Sequence, residues 1–196
     1  MRQHGGHLSH YPIEGKTIFE NHYEERVSMS EILAFRIINE LKKKGLIGDY
    51  AIAGGVAYIY YDEPITTEDI DVFCILGSGI DALSPIYSYA RELGFKPEKE
   101  GIRIGTWRVQ FLPSPTELEQ DAVRLANKVK VGGITTKVVK PEYLAALMLK
   151  AGRTKDIIRV DSLIEHGRLD KNELYRIIKK YRLNDKWRDY KRRGKR

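Results

Sequence analysis

Apolar residues first fall into a clear period in SMSEILAFRIINELKKKGL, where Ile32, Leu33, Phe35, Ile37, Ile38 and Leu41 recur at helical spacing. Ser28 or Ser30 can cap this helix, Gly45 can end it, and the lysines of its last turn complement its dipole. The pattern then changes. YAIAG is a short continuous apolar run and predicts a buried strand, VAYIYYDE predicts a short helix, and DIDVFCIL predicts a second strand. LSPIYSYARELGF reads as a helix ending at Gly94, and GIRIGTWRVQFLP alternates like a strand or hairpin that stops at Pro113.

Further on, SPTELEQDAVRLANK opens with the serine, proline and acids of a helix start. VKVGGITTKVV is a strand pair around Gly132 and Gly133. KPEYLAALMLKAG, TKDIIRVDSLIEHG and DKNELYRIIKKYRL read as three helices. The expected fold class is α+β, a mixed sheet flanked by helices with a C-terminal helical group from about Pro141. The expected organisation is an irregular arm over 1–27, a core over 28–140, helices over 141–183 and a basic tail over 184–196.

Composition narrows the class. With 42% hydrophobic residues the chain can build a packed core. Its one cysteine, Cys74, excludes a disulfide framework and fits a reducing cytoplasm. The N-terminus lacks the apolar stretch of a signal peptide, and no apolar run approaches the ~20 residues of a membrane span. The net charge is +7, but the last 13 residues, NDKWRDYKRRGKR, hold +5 of it. Such a tail reads either as a contact for nucleic acid or as a solvated end. Twelve tyrosines with Trp107 and Trp187 could stack on bases, although most aromatic residues in a globular chain are core. His4, His7 and His10 could bind a metal or could simply lie in a disordered arm.

The candidate chemistry lies between Ala51 and Leu76. Gly54 and Gly55 join strand to helix, where glycine permits close approach of a ligand and the helix start offers free N–H groups to an anion such as a triphosphate; a plain turn is the simpler alternative. Asp69 and Asp71 are two apart on a strand and so share a face, with Ile70 and Val72 turned to the core. Carboxylates so placed are either solvated at a strand end or matched by a hard cation such as Mg²⁺, which prefers oxygen ligands and shares them with substrate phosphates. The 13 residues Val56 to Glu68 separate the glycines from Asp69, so a strand–turn–helix–strand unit would bring both to one sheet edge.

AGGVAYIYYDEPITTEDIDV resembles the signature of minimal nucleotidyltransferases of the DNA polymerase β superfamily, and more narrowly the toxin-type AbiEii/MenT-like nucleotidyltransferases. The resemblance extends over roughly Glu31 to Tyr181. It implies transfer of a nucleoside monophosphate from a Mg²⁺- or Mn²⁺-bound NTP to an acceptor with release of pyrophosphate. Asp69 and Asp71 would be the catalytic metal ligands, and Gly54, Gly55, Thr67 and Lys155 would bind nucleotide. RNA, a protein or a small molecule would be the acceptor, with a cognate antitoxin protein as a further expected partner. Two positions depart from the pattern. In VQFL, Gln110 stands where the resemblance implies a third carboxylate, and Met148 stands where it implies a lysine facing the triphosphate. Lys150 points about 200° away around the helix from residue 148 and is no obvious replacement, whereas Lys155 and Asp156 match a Lys-Asp pair of the family. Asp121 and Asp156 are the other acids considered for the third position. A homologue that binds nucleotide or RNA without turnover, or a toxin–antitoxin component, is the alternative reading.

Overall fold

The computed structural model describes residues 23, 26–77, 81–98 and 101–193. The N-terminal histidines and the last three residues of the tail lie outside these. Along the chain run α1 (Met29–Lys43), β1 (Asp49–Ala53), α2 (Gly54–Tyr61), β2 (Asp69–Ile75), α3 (Ser84–Glu92), β3 (Lys96–Glu98), β4 (Gly101–Ile104) and β5 (Trp107–Pro113). These are followed by α4 (Glu117–Arg124), β6 (Asn127–Val131), β7 (Ile134–Val138), α5 (Pro141–Ala151), α6 (Thr154–Glu165), α7 (Lys171–Lys180) and α8 (Asn184–Arg193).

Among the described residues seven strands form one mixed sheet, ordered β3-β4-β5-β2-β1-β7-β6. The centre is set by β2, antiparallel to β1 and parallel to β5. Its alternation fixes the faces: Ile70, Val72 and Cys74 are fully buried, while Asp69, Asp71 and Phe73 on the other side are partly exposed. The first face lies under α1, where the Tyr50 hydroxyl donates to Asn39 Oδ1 at 2.6 Å. The second face carries Asp71, Phe73, Gln110 and Leu112 and is roofed by α4 and α5. The edges are a β3-β4-β5 meander and the β6/β7 hairpin, whose turn glycines, Gly132 and Gly133, take φ of 52° and 79°.

Several local expectations change. Helix α1 is capped by Ser28, whose Oγ accepts from the Glu31 N–H at 3.1 Å, but its buried face includes Glu31 while Leu33 is 41% exposed. The acid is tolerated there because the Tyr23 hydroxyl donates to it, and Tyr23 itself packs edge-on against Tyr60. Strand β3 has no alternating signature. Helix α4 stops at Arg124, and Asn127 and Lys128 open β6 instead of extending the helix. The tail is helical through Arg193: Trp187 stacks on Tyr190 at 5.1 Å, and the Tyr190 hydroxyl donates to Asp161 at 2.6 Å. Trp107 donates from its indole to Ser28 Oγ at 3.1 Å and so serves the cap of α1. Among the described residues no helix is long and apolar enough to cross a membrane.

Candidate active site

Strand β1 runs straight into α2, so the glycine pair is the first turn of the helix. Gly54 has a φ of 59°, and a Cβ built on it would sit 1.8 Å from Asp71 Oδ2. Only glycine lets the α2 backbone come this close to the carboxylate. A Cβ on Gly55 would lie 2.8 Å from Thr67 Oγ1. Among the described residues no side chain caps α2, whose N-cap is Ala53, so its leading N–H groups and positive dipole end could receive an anion. Thr67 is steadied by donating to the Asp69 carbonyl at 3.3 Å.

The two aspartates meet different surroundings. In register, β5 sets Arg108 beside Asp69 and Gln110 beside Asp71. Arg108 grips Asp69 with both arms of its guanidinium, Nε to Oδ1 at 2.7 Å and Nη2 to Oδ2 at 2.9 Å. Asp71 accepts no hydrogen bond and makes no ion pair within the described residues. Burial first, and then the negative charge of Asp69, push its carboxyl above the ordinary range; the more distant Arg153, Lys155 and Arg159 pull the other way. These cations come from the α5–α6 corner. Gly152, at φ 68°, ends α5 and turns the chain so that Arg153 and the first turns of α6 face β2. Buried Asp156 anchors the corner by accepting from Arg153 Nε at 2.6 Å.

Seven of the residues singled out from the sequence, Gly54, Gly55, Thr67, Asp69, Asp71, Gln110 and Lys155, line one cavity of about 410 Å³, together with Glu68, Arg153 and Arg159. A second cavity of about 470 Å³ adjoins it, sharing Gly54, Asp71, Gln110 and Arg153, and continues over Phe73, Leu112, Leu147 and Met148. The result is one groove, charged at one end and largely apolar at the other. Met148 is buried on its wall. Lys150 lines the same apolar end but is committed to Glu119 Oε1 at 2.6 Å, so it does not replace the missing lysine. Asp121 is elsewhere, held by Lys180 at 2.7 Å and by Tyr181, and Asp156 is taken by Arg153, so neither supplies a third carboxylate.

Pattern alone did not place Arg108 here, and it provides a counter-charge to Asp69 in addition to any metal. Arg153 and Arg159 also went unread, since nothing in a helical stretch of mixed charge marks which cations face a site. Among the described residues no cluster of three or more His, Cys, Asp or Glu could cage a metal. What the donor set does fit is a single hard divalent ion at Asp71. There the half-buried carboxylate has no hydrogen-bond or ion-pair partner among the described residues and has Asp69 beside it.

The mixed seven-stranded sheet flanked by helices matches nucleotidyltransferase-like folds. Structures sharing it include an antigenic nucleotidyltransferase-like protein from Paracoccidioides brasiliensis, with a TM-score of 0.51 at 15% identity over 76% of this chain and 85% of that one. The antibiotic-resistance factor ANT(2″)-Ia in solution gives a TM-score of 0.52 at 12% identity, over 86% of this chain and all of that one (100%). No family model and no curated protein matches the chain.

Proposed function

We propose that this groove binds a nucleoside triphosphate and transfers its nucleotidyl group to an acceptor hydroxyl. The observation that carries the reading is the placement of the Asp71 carboxylate against Gly54, at the start of an uncapped helix and opposite Lys155. Free N–H groups of α2 and the Thr67 hydroxyl would hold the terminal phosphates, and Lys155, Arg153 and Arg159 would neutralise them. A divalent ion held by Asp71 and Asp69 would supply positive charge that favours approach of the acceptor oxygen to the α-phosphorus and neutralises the departing pyrophosphate. The acceptor oxygen forms a bond to the α-phosphorus as the bond to pyrophosphate breaks, and little beyond positioning and charge neutralisation is asked of the protein. Gln110 can hydrogen-bond the incoming hydroxyl but cannot take its proton, which passes to solvent, so turnover is slow. That same residue favours the second reading, a protein that binds nucleotide without turning it over. Helix α8 buries no residue fully and presents Lys186, Arg188, Lys191, Arg192 and Arg193, which suits an RNA acceptor.

The test is calorimetric titration of each NTP with and without Mg²⁺ on wild type and Asp71→Asn, followed by incubation of labelled NTP with total RNA or lysate. Mg²⁺-dependent binding lost in the variant and label fixed to a macromolecule are expected. Binding without label transfer selects the second reading, and equal binding by both proteins, or by neither, removes the site. If RNA is the acceptor, a chain ending at Leu183 should bind it with a flatter salt dependence, and an unchanged slope would take α8 out of the contact.

A further inference from the structure

Strand β5 turns two polar side chains toward the carboxylates of β2, and they do different things. Gln110 faces Asp71 and leaves it unpaired, while Arg108 closes both oxygens of Asp69. A cation approaching Asp69 therefore meets a guanidinium already seated where a cation held by both carboxylate oxygens would sit. The pair is not a buried structural bolt, because the two side chains keep 31% and 32% exposure and Asp69 itself lines the charged cavity. Exposed pairs of this kind add little to folding. The neighbouring carboxylate is already occupied. Arg103, the cross-strand neighbour of Arg108, has taken Glu98, at 3.0 and 2.7 Å, which leaves Asp69 to Arg108.

We propose that Arg108 is a displaceable counter-ion that holds Asp69 until the metal–triphosphate arrives. The nucleotide-free protein then admits a divalent cation at Asp71 alone and binds it weakly. A triphosphate changes the balance in two ways. It brings oxygen ligands for the metal, and it offers the released guanidinium a phosphate with the same two-point geometry as a carboxylate. Metal and nucleotide consequently enter together, and Arg108 acts as a positioning residue that sets this order. The proposal rests on the nucleotide-binding reading for its second half, but its first half concerns the nucleotide-free protein alone.

The experiment is Mn²⁺ binding to nucleotide-free protein, read as loss of the free-ion electron paramagnetic resonance signal. Wild type is compared with Arg108→Gln, Arg108→Lys, Arg103→Gln, Asp69→Asn and the double variant Asp69→Asn/Arg108→Gln. Arg108→Gln should tighten Mn²⁺ binding on the order of fivefold, the equivalent of losing one exposed ion pair. Arg108→Lys should fall between, Arg103→Gln should change nothing, and the gain should vanish without Asp69. In the presence of a triphosphate the difference between wild type and Arg108→Gln should shrink or reverse. Equal nucleotide-free affinity in wild type and Arg108→Gln, including no binding by either, overturns the proposal. So does a gain that survives in the double variant or appears equally in Arg103→Gln, since that would be mere removal of positive charge. If no variant binds nucleotide, the functional reading fails, and the nucleotide-free comparison still decides the role of Arg108 on Asp69. Circular dichroism melts of Arg108→Lys, which keeps charge and bulk, guard against a folding defect.

Discussion

Gly54→Ala tests the geometry on which the site depends. The new methyl group meets two separate obstacles. The backbone at residue 54 has a φ of 59°, a left-handed conformation that costs a residue with a Cβ about 1–2 kcal/mol. The Cβ would also lie 1.8 Å from Asp71 Oδ2, 2.7 Å from its Cγ and 3.0 Å from its Cβ, so the carboxylate must leave its place. Swinging Asp71 off its rotamer, or shifting β2, adds about 1–2 kcal/mol. The sum is about 2–4 kcal/mol, which for a chain of this size lowers the melting temperature by about 5–15 °C.

The two parts can be separated. In an Asp71→Ala background the oxygen and Cγ are gone and only the 3.0 Å contact with Cβ remains, so Gly54→Ala should cost little more than the backbone term. Urea denaturation of the four proteins of the cycle, followed by circular dichroism, should give a coupling of about 1–2 kcal/mol between the two positions. A Gly54→Ala cost that is the same with and without the Asp71 carboxylate would mean that the carboxylate does not rest against residue 54. The charged cavity would then have a different shape, and the argument for a phosphate beside this half-buried aspartate would fail with it.

Two further predictions concern neighbouring groups. Buried Asp62, at the end of α2, accepts from Ser162 Oγ at 2.6 Å and pairs with His166 Nδ1 at 2.8 Å. Burial alone would raise the Asp62 carboxyl, but the hydrogen bonds from Ser162 and His166 bring it below its ordinary range, while the hydrogen bond to Asp62 and its charge lift His166 above its own. The histidine contribution is therefore complete below about pH 6.5 and lost as pH rises through the elevated folded value. The aspartate contribution is present above about pH 3.9 and lost as pH falls through the depressed one. His166→Ala should thus lower the melting temperature near pH 5.5 and hardly change it near pH 9, and a loss independent of pH would refute the charged pair. Gln110→Asp, opposite Asp71, should melt earlier than wild type in metal-free buffer and recover with Mg²⁺, with turnover rising tenfold for each ~1.4 kcal/mol gained; no change in either measurement would take position 110 out of the site.

Much of the site was legible because its elements are local. Gly54 and Gly55 lie next to the helix they start, and Asp69 and Asp71 share a face by the period of a strand. Lys155 was read only through the family resemblance, as the first half of a Lys-Asp pair. Arg108 was not legible. Its meeting with Asp69 depends on parallel pairing of β2 with β5 across an intervening helix and two strands, and pattern alone does not give that register. The exchange of Leu33 for Glu31 on the buried face of α1 likewise depends on a distant partner, the Tyr23 hydroxyl. The tail shows the opposite case. Trp187 and Tyr190, three residues apart, were a helical signal in plain view, hidden by the surrounding charge.

The aspartate pair stands on an apolar strand because the fold treats its members unequally. Two like charges on one face would both raise their carboxyl pKa values and weaken the sheet. Here β5 answers one of them with Arg108 and answers the other with the neutral Gln110. The full cost of desolvation and repulsion then falls on Asp71, where α2 approaches through Gly54 and the α5–α6 corner holds three cations at a distance rather than in contact. A protein selected for stability alone would move one of those cations into contact or replace the aspartate. Leaving a half-buried carboxylate without a partner among the described residues, beside uncapped helix N–H groups and within the field of Arg153, Lys155 and Arg159, makes sense if a ligand completes the balance. That ligand must bring positive charge to Asp71 and negative charge to the helix start and the cations at once. A metal-bound polyphosphate carries both, which is why the asymmetry between Asp69 and Asp71, more than the presence of two aspartates, supports the nucleotide reading.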